Sequence, residues 1–347
     1  MARTAGVDAT TARKICAAVH QRGRDDLLAH PIPRNIRRVD VERIAAHHRV
    51  GTLRVVARED SKVDPFVKYV LACEDDARIE TVRIPLEKPG RFVVCVSSQV
   101  GCAMGCTFCA TGRLGLQRNL EAWEIAEQVR VVRRELPPGT RVHGVVFQGM
   151  GEPLANVERV IQAIRVLHDP CGAAIEQRAI TVSTVGVPGG IRKLAAAGIR
   201  VRLGVSIAAA RPDVRRRLVP VEQQNPLAEV LEAAAEFVKL HGDAPMLAVT
   251  TLGGVNTSDE DADALARLAL DFRAKTGVTP RLSLVPYNPM GGDDPFRRPD
   301  DEEAERFRAR LSAIGVPVVR RYSGGGDVGA ACGQLVARPS AELTGAS

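Results

Sequence analysis

The sequence predicts an α/β fold, a partial (β/α)6 barrel of TIM type preceded by a small accessory domain. Three observations predict it. From Arg91 onward, short apolar runs alternate with Gly-rich or polar turns and then with apolar-periodic stretches of helix length. The 347 residues suffice for about two domains and a sizeable core that needs no disulfides. Residues 1–90 lack the alternation.

Within 1–90, residues 10–22 read as an amphipathic helix closed by Gly23. Pro31 and Pro33 follow, with a basic stretch containing Arg34, Arg37, Arg38 and Arg43. Short strands are expected at 52–57 and 66–72. The barrel strands are expected at 92–96, 142–147, 179–182, 201–206, 246–251, 281–285 and 318–320. Helices are expected between them at 120–136, 157–168, 190–197, 227–240, 258–275 and 301–314. Repeated βα units imply a parallel sheet covered by its helical crossovers, with functional residues just beyond the strand C-termini. The core is expected to span 91–336, and 337–347 to be a flexible tail.

No apolar run reaches the roughly 18 residues of a membrane helix, and the start, Met-Ala-Arg-Thr, lacks the apolar core of a signal peptide, so the expectation is a cytoplasmic protein without a membrane partner. A net charge of +7 admits a polyanionic partner. The basic candidates for it are the stretch above with Arg49, and Arg211, Arg215, Arg216 and Arg217. Aromatic residues make up only 3% of the chain, which argues against a base-stacking platform and places any base handling in a pocket.

Eight cysteines in such a chain point to metal or redox chemistry rather than a disulfide framework. Cys102, Cys106 and Cys109 follow the first barrel strand with C-x3-C-x2-C spacing and no fourth cysteine nearby. Structural zinc usually takes two C-x2-C pairs or Cys with His, whereas three thiolates hold a 4Fe-4S cluster with one iron open to a small molecule. Downstream, Gly149 and Gly151 allow close backbone approach, and Glu152 can accept hydrogen bonds from an ammonium group. Cys16, Cys73 and Cys171 fit no motif.

The loop 102–109 resembles the radical S-adenosylmethionine (SAM) superfamily, whose open iron chelates SAM and whose product is a 5′-deoxyadenosyl radical. Four segments narrow the resemblance: Cys-Val-Ser-Ser-Gln-Val-Gly-Cys at 95–102, Arg118-Asn119-Leu120, Gly-Met-Gly-Glu-Pro-Leu at 149–154 and Ala331-Cys332-Gly333-Gln334-Leu335. Together they are similar to the RlmN/Cfr family of radical SAM RNA adenine methyltransferases, over residues 78–336. The resemblance implies a barrel of the radical SAM class and metal ligands Cys102, Cys106 and Cys109. It also implies SAM contacts at Gly151, Glu152, Ser183, Ser206 and Asn288, a catalytic pair Cys95 and Cys332, and an active-site proton acceptor at Glu80.

Carbon C2 of adenine lies between two ring nitrogens and is too electron-poor to attack a SAM methyl group. The resemblance implies a radical route that uses two SAM per turnover. One methylates Cys332; the radical from the other removes hydrogen from that methyl, and the resulting methylene radical adds to the ring. Loss of one electron and of the ring proton then lets Cys332 leave as a disulfide with Cys95. The implied substrate is RNA, with 23S rRNA leading and tRNA as a second. An electron donor such as flavodoxin or ferredoxin and a monomeric state are expected as well. Two alternatives stay open: the same chemistry at C8 or on another RNA, as in the Cfr branch, and a non-catalytic zinc-stabilised RNA-binding protein. The chain departs from the family where Ala208 stands in place of a histidine and Gln148 in place of an apolar residue, and in its divergent N-terminal segment.

Overall fold

A computed structural model of the chain describes residues 2–28, 32 and 35–337. Arg34, the two prolines at 31 and 33, and the expected tail from 338 onward lie outside the described residues.

The chain begins with three helices, α1 (Ala2–Ala5), α2 (Ala9–Arg22) and α3 (Arg38–His47). Asp8 caps α2 by accepting the Thr11 N–H at 2.9 Å, and Gly23 ends it at φ 67°. Ile15, Val41 and Ile44 pack a small core of their own. The helix α3 carries a buried Asp40 bonded to Arg37, so its polar and apolar residues do not segregate cleanly in the sequence.

Strands β1 (Arg54–Asp60), β2 (Val67–Ala72), β3 (Arg78–Pro85) and β4 (Arg91–Cys95) form an antiparallel meander. A ribbon of β5 (Gln99–Gly101) and β6 (Leu116–Asn119) follows and brackets the one-turn α4 (Ala110–Arg113). The remaining elements alternate: α5 (Ala122–Arg134), β7 (Arg141–Phe147), α6 (Val157–His168), β8 (Ile180–Thr184), α7 (Pro188–Ala196), β9 (Arg202–Ser206), the short α8 (Pro212–Leu218), α9 (Leu227–His241), β10 (Met246–Thr251), α10 (Asp259–Thr276), β11 (Arg281–Pro286), α11 (Asp301–Ala313) and β12 (Val318–Arg320).

The ten principal strands form one sheet in the order β1-β2-β3-β4-β7-β8-β9-β10-β11-β12. From β4 on, every pairing is parallel, giving six βα units and a closing seventh strand. This is the expected partial barrel, and each anticipated barrel strand and helix corresponds to an observed one. Because β3 pairs with β4 (Val82 opposite Cys95), the chain on either side of residue 90 is hydrogen-bonded into a single sheet.

Side-chain alternation explains the hollow interior. Val182, Val205, Val249 and Leu282 face outward and are at most 2% exposed against the helices, while Gly204, Ala248 and Ser283, each next to one of them in the chain, are small and face inward. The edge strands β1 and β12 are not paired with each other. The segment after β12 instead crosses back to the β1–β2 turn: Asp327 accepts from Ser61 Oγ (2.7 Å) and the Lys62 N–H (2.8 Å), and Asp64 accepts from the Tyr322 hydroxyl and the Gly325 N–H (both 2.9 Å). Among the described residues, no helix is long and apolar enough to cross a membrane.

Candidate active site

The three clustered cysteines sit on a loop held from three sides. The Cys102 N–H donates to Gly115 O across the ribbon, the Thr107 N–H to Leu218 O at the end of α8, and the Ala110 N–H to Gly333 O beside Cys332. An apolar shell that includes Phe108, Val219 and Tyr287 packs around Cys106. Burial pushes all three thiols up, Cys102 to about 12. Such desolvated sulfurs need a strong positive charge beside them to become thiolates, and a metal cluster supplies one, so the donor set fits a cluster. Among the described residues, no three His, Cys, Asp or Glu side chains converge on a single ion. A cluster attaches each thiolate to a different iron and asks for no such convergence.

The strand ends next to this loop are joined by a buried polar network. Ser98 and Gln99 donate their N–H groups to Met150 O, and the Glu152 N–H donates to Gln99 Oε1 at 2.8 Å. The Glu152 carboxylate is 3% exposed and accepts the N–H groups of Leu154 and Val185, both at 2.9 Å; burial holds it above the usual carboxylate range. The neighbour that makes glycine necessary here is protein. A Cβ on Gly149 would lie 2.7 Å from the Val96 carbonyl, and Gly151, at φ 98°, faces Gln99. Ser183 Oγ accepts from Gln148 Nε2 at 3.2 Å, so the family departure at Gln148 has a partner in this chain. Ala208, the other departure, is fully buried at φ 60°, with its carbonyl held by Asn256 Nδ2.

Cys95 and Cys332 come together. Both line a cavity of about 430 Å³ in the barrel interior, together with Gln148, Thr181, Ser283 and Arg321. Cys95, the last residue of β4, is 7% exposed; burial, then the neighbouring Cys332, push its thiol up to about 12. Cys332 is exposed by area because it projects into the cavity, yet the surrounding protein desolvates it. That desolvation and nearby Cys109 push its thiol up to about 11, against the pull of Arg321. All eight cysteines are free.

The other site residues expected from the sequence lie outside the cavity lining. Asn288 uses both amide hydrogens on the C-terminal segment, donating to Ser323 Oγ (2.7 Å) and Cys332 O (3.1 Å), while its Oδ1 accepts from Arg298. Ser206 is half-buried, its carbonyl held by Arg215. Glu80 is fully buried in β3: Oε1 is 3.2 Å from Lys68 Nζ and Oε2 accepts the Val336 N–H at 2.8 Å. Its observed contacts are those of an anchor for the chain just past Cys332.

Of the basic candidates, Arg37, Arg38, Arg49 and Arg211 each have a carboxylate partner, while Arg216 and Arg217 are exposed. Arg215 is not a surface residue at all. It is 0% exposed, with Nε 2.6 Å from Glu222 and its remaining donors on the carbonyls of Val185, Ser206 and Ile207. The sequence held a signal for this, because Arg215 stands three residues before the apolar, buried Leu218 and so lies on its helical face.

Residues 96–271 match the model of the radical SAM superfamily. A probable RNA methyltransferase of Sorangium cellulosum is 53% identical over 99% of this chain and 91% of its own length. A probable dual-specificity RNA methyltransferase RlmN of Symbiobacterium thermophilum is 40% identical over 83% of this chain and 77% of its own. The crystal structure of a radical SAM methyltransferase from Sphaerobacter thermophilus superposes with a TM-score of 0.87 at 36% identity, covering 97% of this chain and 96% of that one. The chain therefore belongs to the radical SAM superfamily, which uses a 4Fe-4S cluster and SAM, and within it to the RNA methyltransferases of RlmN type.

Proposed function

We propose that this enzyme methylates a ring carbon of adenine in RNA, C2 of an adenosine in 23S rRNA first and tRNA second, with Cys332 as methyl carrier and Cys95 as resolving thiol. The observation that carries the reading is the meeting of these two thiols in one interior cavity, with Cys109 of the metal loop beside Cys332.

When bound, the cluster on Cys102, Cys106 and Cys109 and SAM supply the radical and the methyl group, two SAM per turnover. Gly151, Glu152, Ser183 and Ser206 stand at the strand ends next to the metal loop and provide the SAM contacts. Asn288 is the fifth SAM contact of this reading, and its amide also holds the Cys332 carbonyl. Cys332 holds the transferred carbon as a thioether and joins it to the base. Cys95 then takes Cys332 as its disulfide partner, which frees the product and leaves a bond that must be reduced before the next cycle. An electron donor of flavodoxin or ferredoxin type meets that need and feeds the radical step, acting on a monomer. Glu80 keeps the carrier segment in place through Val336.

The test is anaerobic incubation of the reconstituted enzyme with SAM, a reductant and total RNA, followed by nucleoside mass spectrometry against 2-methyl- and 8-methyladenosine. The expected result is 2-methyladenosine that disappears with Cys332→Ala. Formation of 8-methyladenosine would move the enzyme to the C8 branch, and SAM cleavage without any methyladenosine would overturn the substrate assignment.

A further inference from the structure

The cavity holding Cys95 and Cys332 has a second chemical feature that the methyl-transfer chemistry does not use. No Asp or Glu is among its lining residues, while Arg202 and Arg321 are. Strand register brings a third arginine to them. Met246 on β10 is the register partner of Gly204 on β9 and of Arg281 on β11. Arg202 precedes Gly204 by two residues and so points to the same face, as Arg281 does with cavity-lining Ser283. Arg321 reaches the same place from beyond β12, donating to Ser283 Oγ at 3.1 Å and to the Met246 sulfur. Arg321 therefore contacts Met246, and Arg202 and Arg281 start from neighbouring positions on the same face and lie near enough to act on it.

They gather without neutralisation. Arginines on the outer helices have carboxylate partners, such as Arg192 with Glu236 and Arg310 with Asp263. Among the described residues, no ion pair joins Arg202, Arg281 or Arg321 to a carboxylate, and the groups acting on Arg321 are desolvation, Arg281 and Arg202, which lower its pKa, and Cys332. Like charges held together at a half-closed cavity mouth are a standing cost that an anion removes. Register also fixes the direction of that anion relative to the thiols. Cys95, Val146, Thr181 and Arg202 are successive partners in one row across β4, β7, β8 and β9, and all four line the cavity. Three strand spacings of about 4.8 Å separate the row's ends along the curved sheet, so Cys95 faces Arg202 across roughly the span of a nucleotide.

We propose that Arg202, Arg281 and Arg321 form a phosphate clamp that grips the RNA backbone at the target nucleotide while its base reaches toward Cys332 and Cys95. The clamp rests on the reading of those two thiols as the reacting pair. Planar guanidinium forks suit bidentate phosphate contacts, and the low aromatic content leaves backbone grip rather than stacking to hold the nucleotide.

The test uses the full-length, anaerobically reconstituted enzyme and a synthetic RNA hairpin with an unpaired loop adenosine, with binding followed by fluorescence anisotropy over a salt series. Each lost phosphate contact flattens the log K against log salt slope by about 0.7–0.9. R202Q/R281Q is expected to flatten it by about 1.5 and to weaken binding at low salt tenfold or more. R202K/R281K keeps most of the slope, and R267Q, which removes one charge from the outer face of α10, does not change it. A slope in R202Q/R281Q equal to that of the wild type overturns the clamp. Intact-protein mass spectrometry of wild-type Cys332 after incubation with SAM, without RNA, separates the two readings. A gained methyl with a slope unaffected by R202Q/R281Q refutes the clamp alone. A clamp-dependent slope with Cys332 never methylated upholds the clamp and refutes the thiol assignment.

Discussion

Replacing Arg215 with methionine tests how the site's supporting loops are held. The guanidinium bonds Glu222 at 2.6 Å, Val185 O at 2.8 Å, Ser206 O at 3.2 Å, and Ile207 O, so it ties together the loops after β8 and β9 from a fully buried position. Arg215→Met leaves the Glu222 carboxylate with only the Leu227 N–H and strips three carbonyls of a donor. Breaking a buried ion pair from one side costs about 3–5 kcal/mol, and the lost carbonyl bonds about 1 kcal/mol each before relaxation. Since these terms overlap, the expected loss is roughly 4–6 kcal/mol, or a fall of about 5–8 °C in the unfolding midpoint for a chain of this size. The assay is thermal unfolding of wild type and variant at one scan rate under anaerobic conditions. R215M/E222L should recover at least half the loss, because the orphaned carboxylate goes with its partner. A variant that melts within about 2 °C of wild type, or a double variant no better than the single one, would refute the reasoning and return Arg215 to the surface role its Arg-Arg-Arg context first suggested.

Cys95→Ser removes the proposed resolving thiol, so an RNA-protein adduct stable to denaturing electrophoresis should accumulate in place of free product; free methylated RNA at the wild-type rate would contradict the proposal. Glu80→Gln keeps an acceptor for the Val336 N–H but loses the charge facing Lys68. As an anchor it should lower stability by about 1–3 kcal/mol with kcat within about tenfold, whereas loss of a proton acceptor would cost about 10²–10⁴ in kcat. His20 is held down to about 4 by burial, then by Arg130 and Arg133. The folded chain thus keeps it neutral where the unfolded chain, near 6.5, protonates it, and its contribution is fully present above about pH 6.5 and lost as pH falls towards 4. Denaturant midpoints at pH 7.5 and 4.5 should differ less in His20→Gln than in wild type, by up to about 3 kcal/mol; an equal difference would show that His20 titrates freely in the fold.

The parallel core was legible because its physics is periodic: outward strand residues are β-branched or aliphatic, and glycine or polar turns separate them from helices with one apolar face. The strand β3 was not legible. Arg78-Ile-Glu-Thr-Val-Arg-Ile-Pro is covered on both faces through its middle, and the buried Glu80 and Thr81 break the alternation that marks a half-buried strand. The cysteine loop was legible as a candidate cluster site from its spacing together with the family resemblance, since three thiols within eight residues need no tertiary information. Asn288 shows the opposite limit. A polar residue after a strand is consistent with ligand contact, but only the fold brings Ser323 and Cys332 to its two amide hydrogens. The arginine cluster needs more still, because its members are scattered between residues 202 and 321 and meet only through register.

The segment that carries Cys332 is held in a way that bears on the methyl-carrier role proposed for it. Its backbone is tied to four separate elements: Gly325 to Asp64 of the β1–β2 turn, the Cys332 carbonyl to Asn288 after β11, Gly333 O to the Ala110 N–H beside the metal loop, and Val336 to Glu80 of β3. A run of glycines at 324–326 suggests freedom, yet a Cβ at Gly324 or Gly325 would meet Phe66 or Asp64, so these glycines serve close packing. A carrier that swung on a loose loop would lose the order that keeps its carbon at the base and away from solvent. Here the main chain on both sides of Cys332 is fixed while its side chain enters the cavity beside Ala331 and Leu335, so χ1 rotation is the low-cost motion open to the sulfur. Cys95 is fixed more firmly, as the last residue of a strand paired on both sides. The arrangement therefore places one rotating sulfur against one stationary sulfur, and the resolving step proposed above would need only Cys332 to turn.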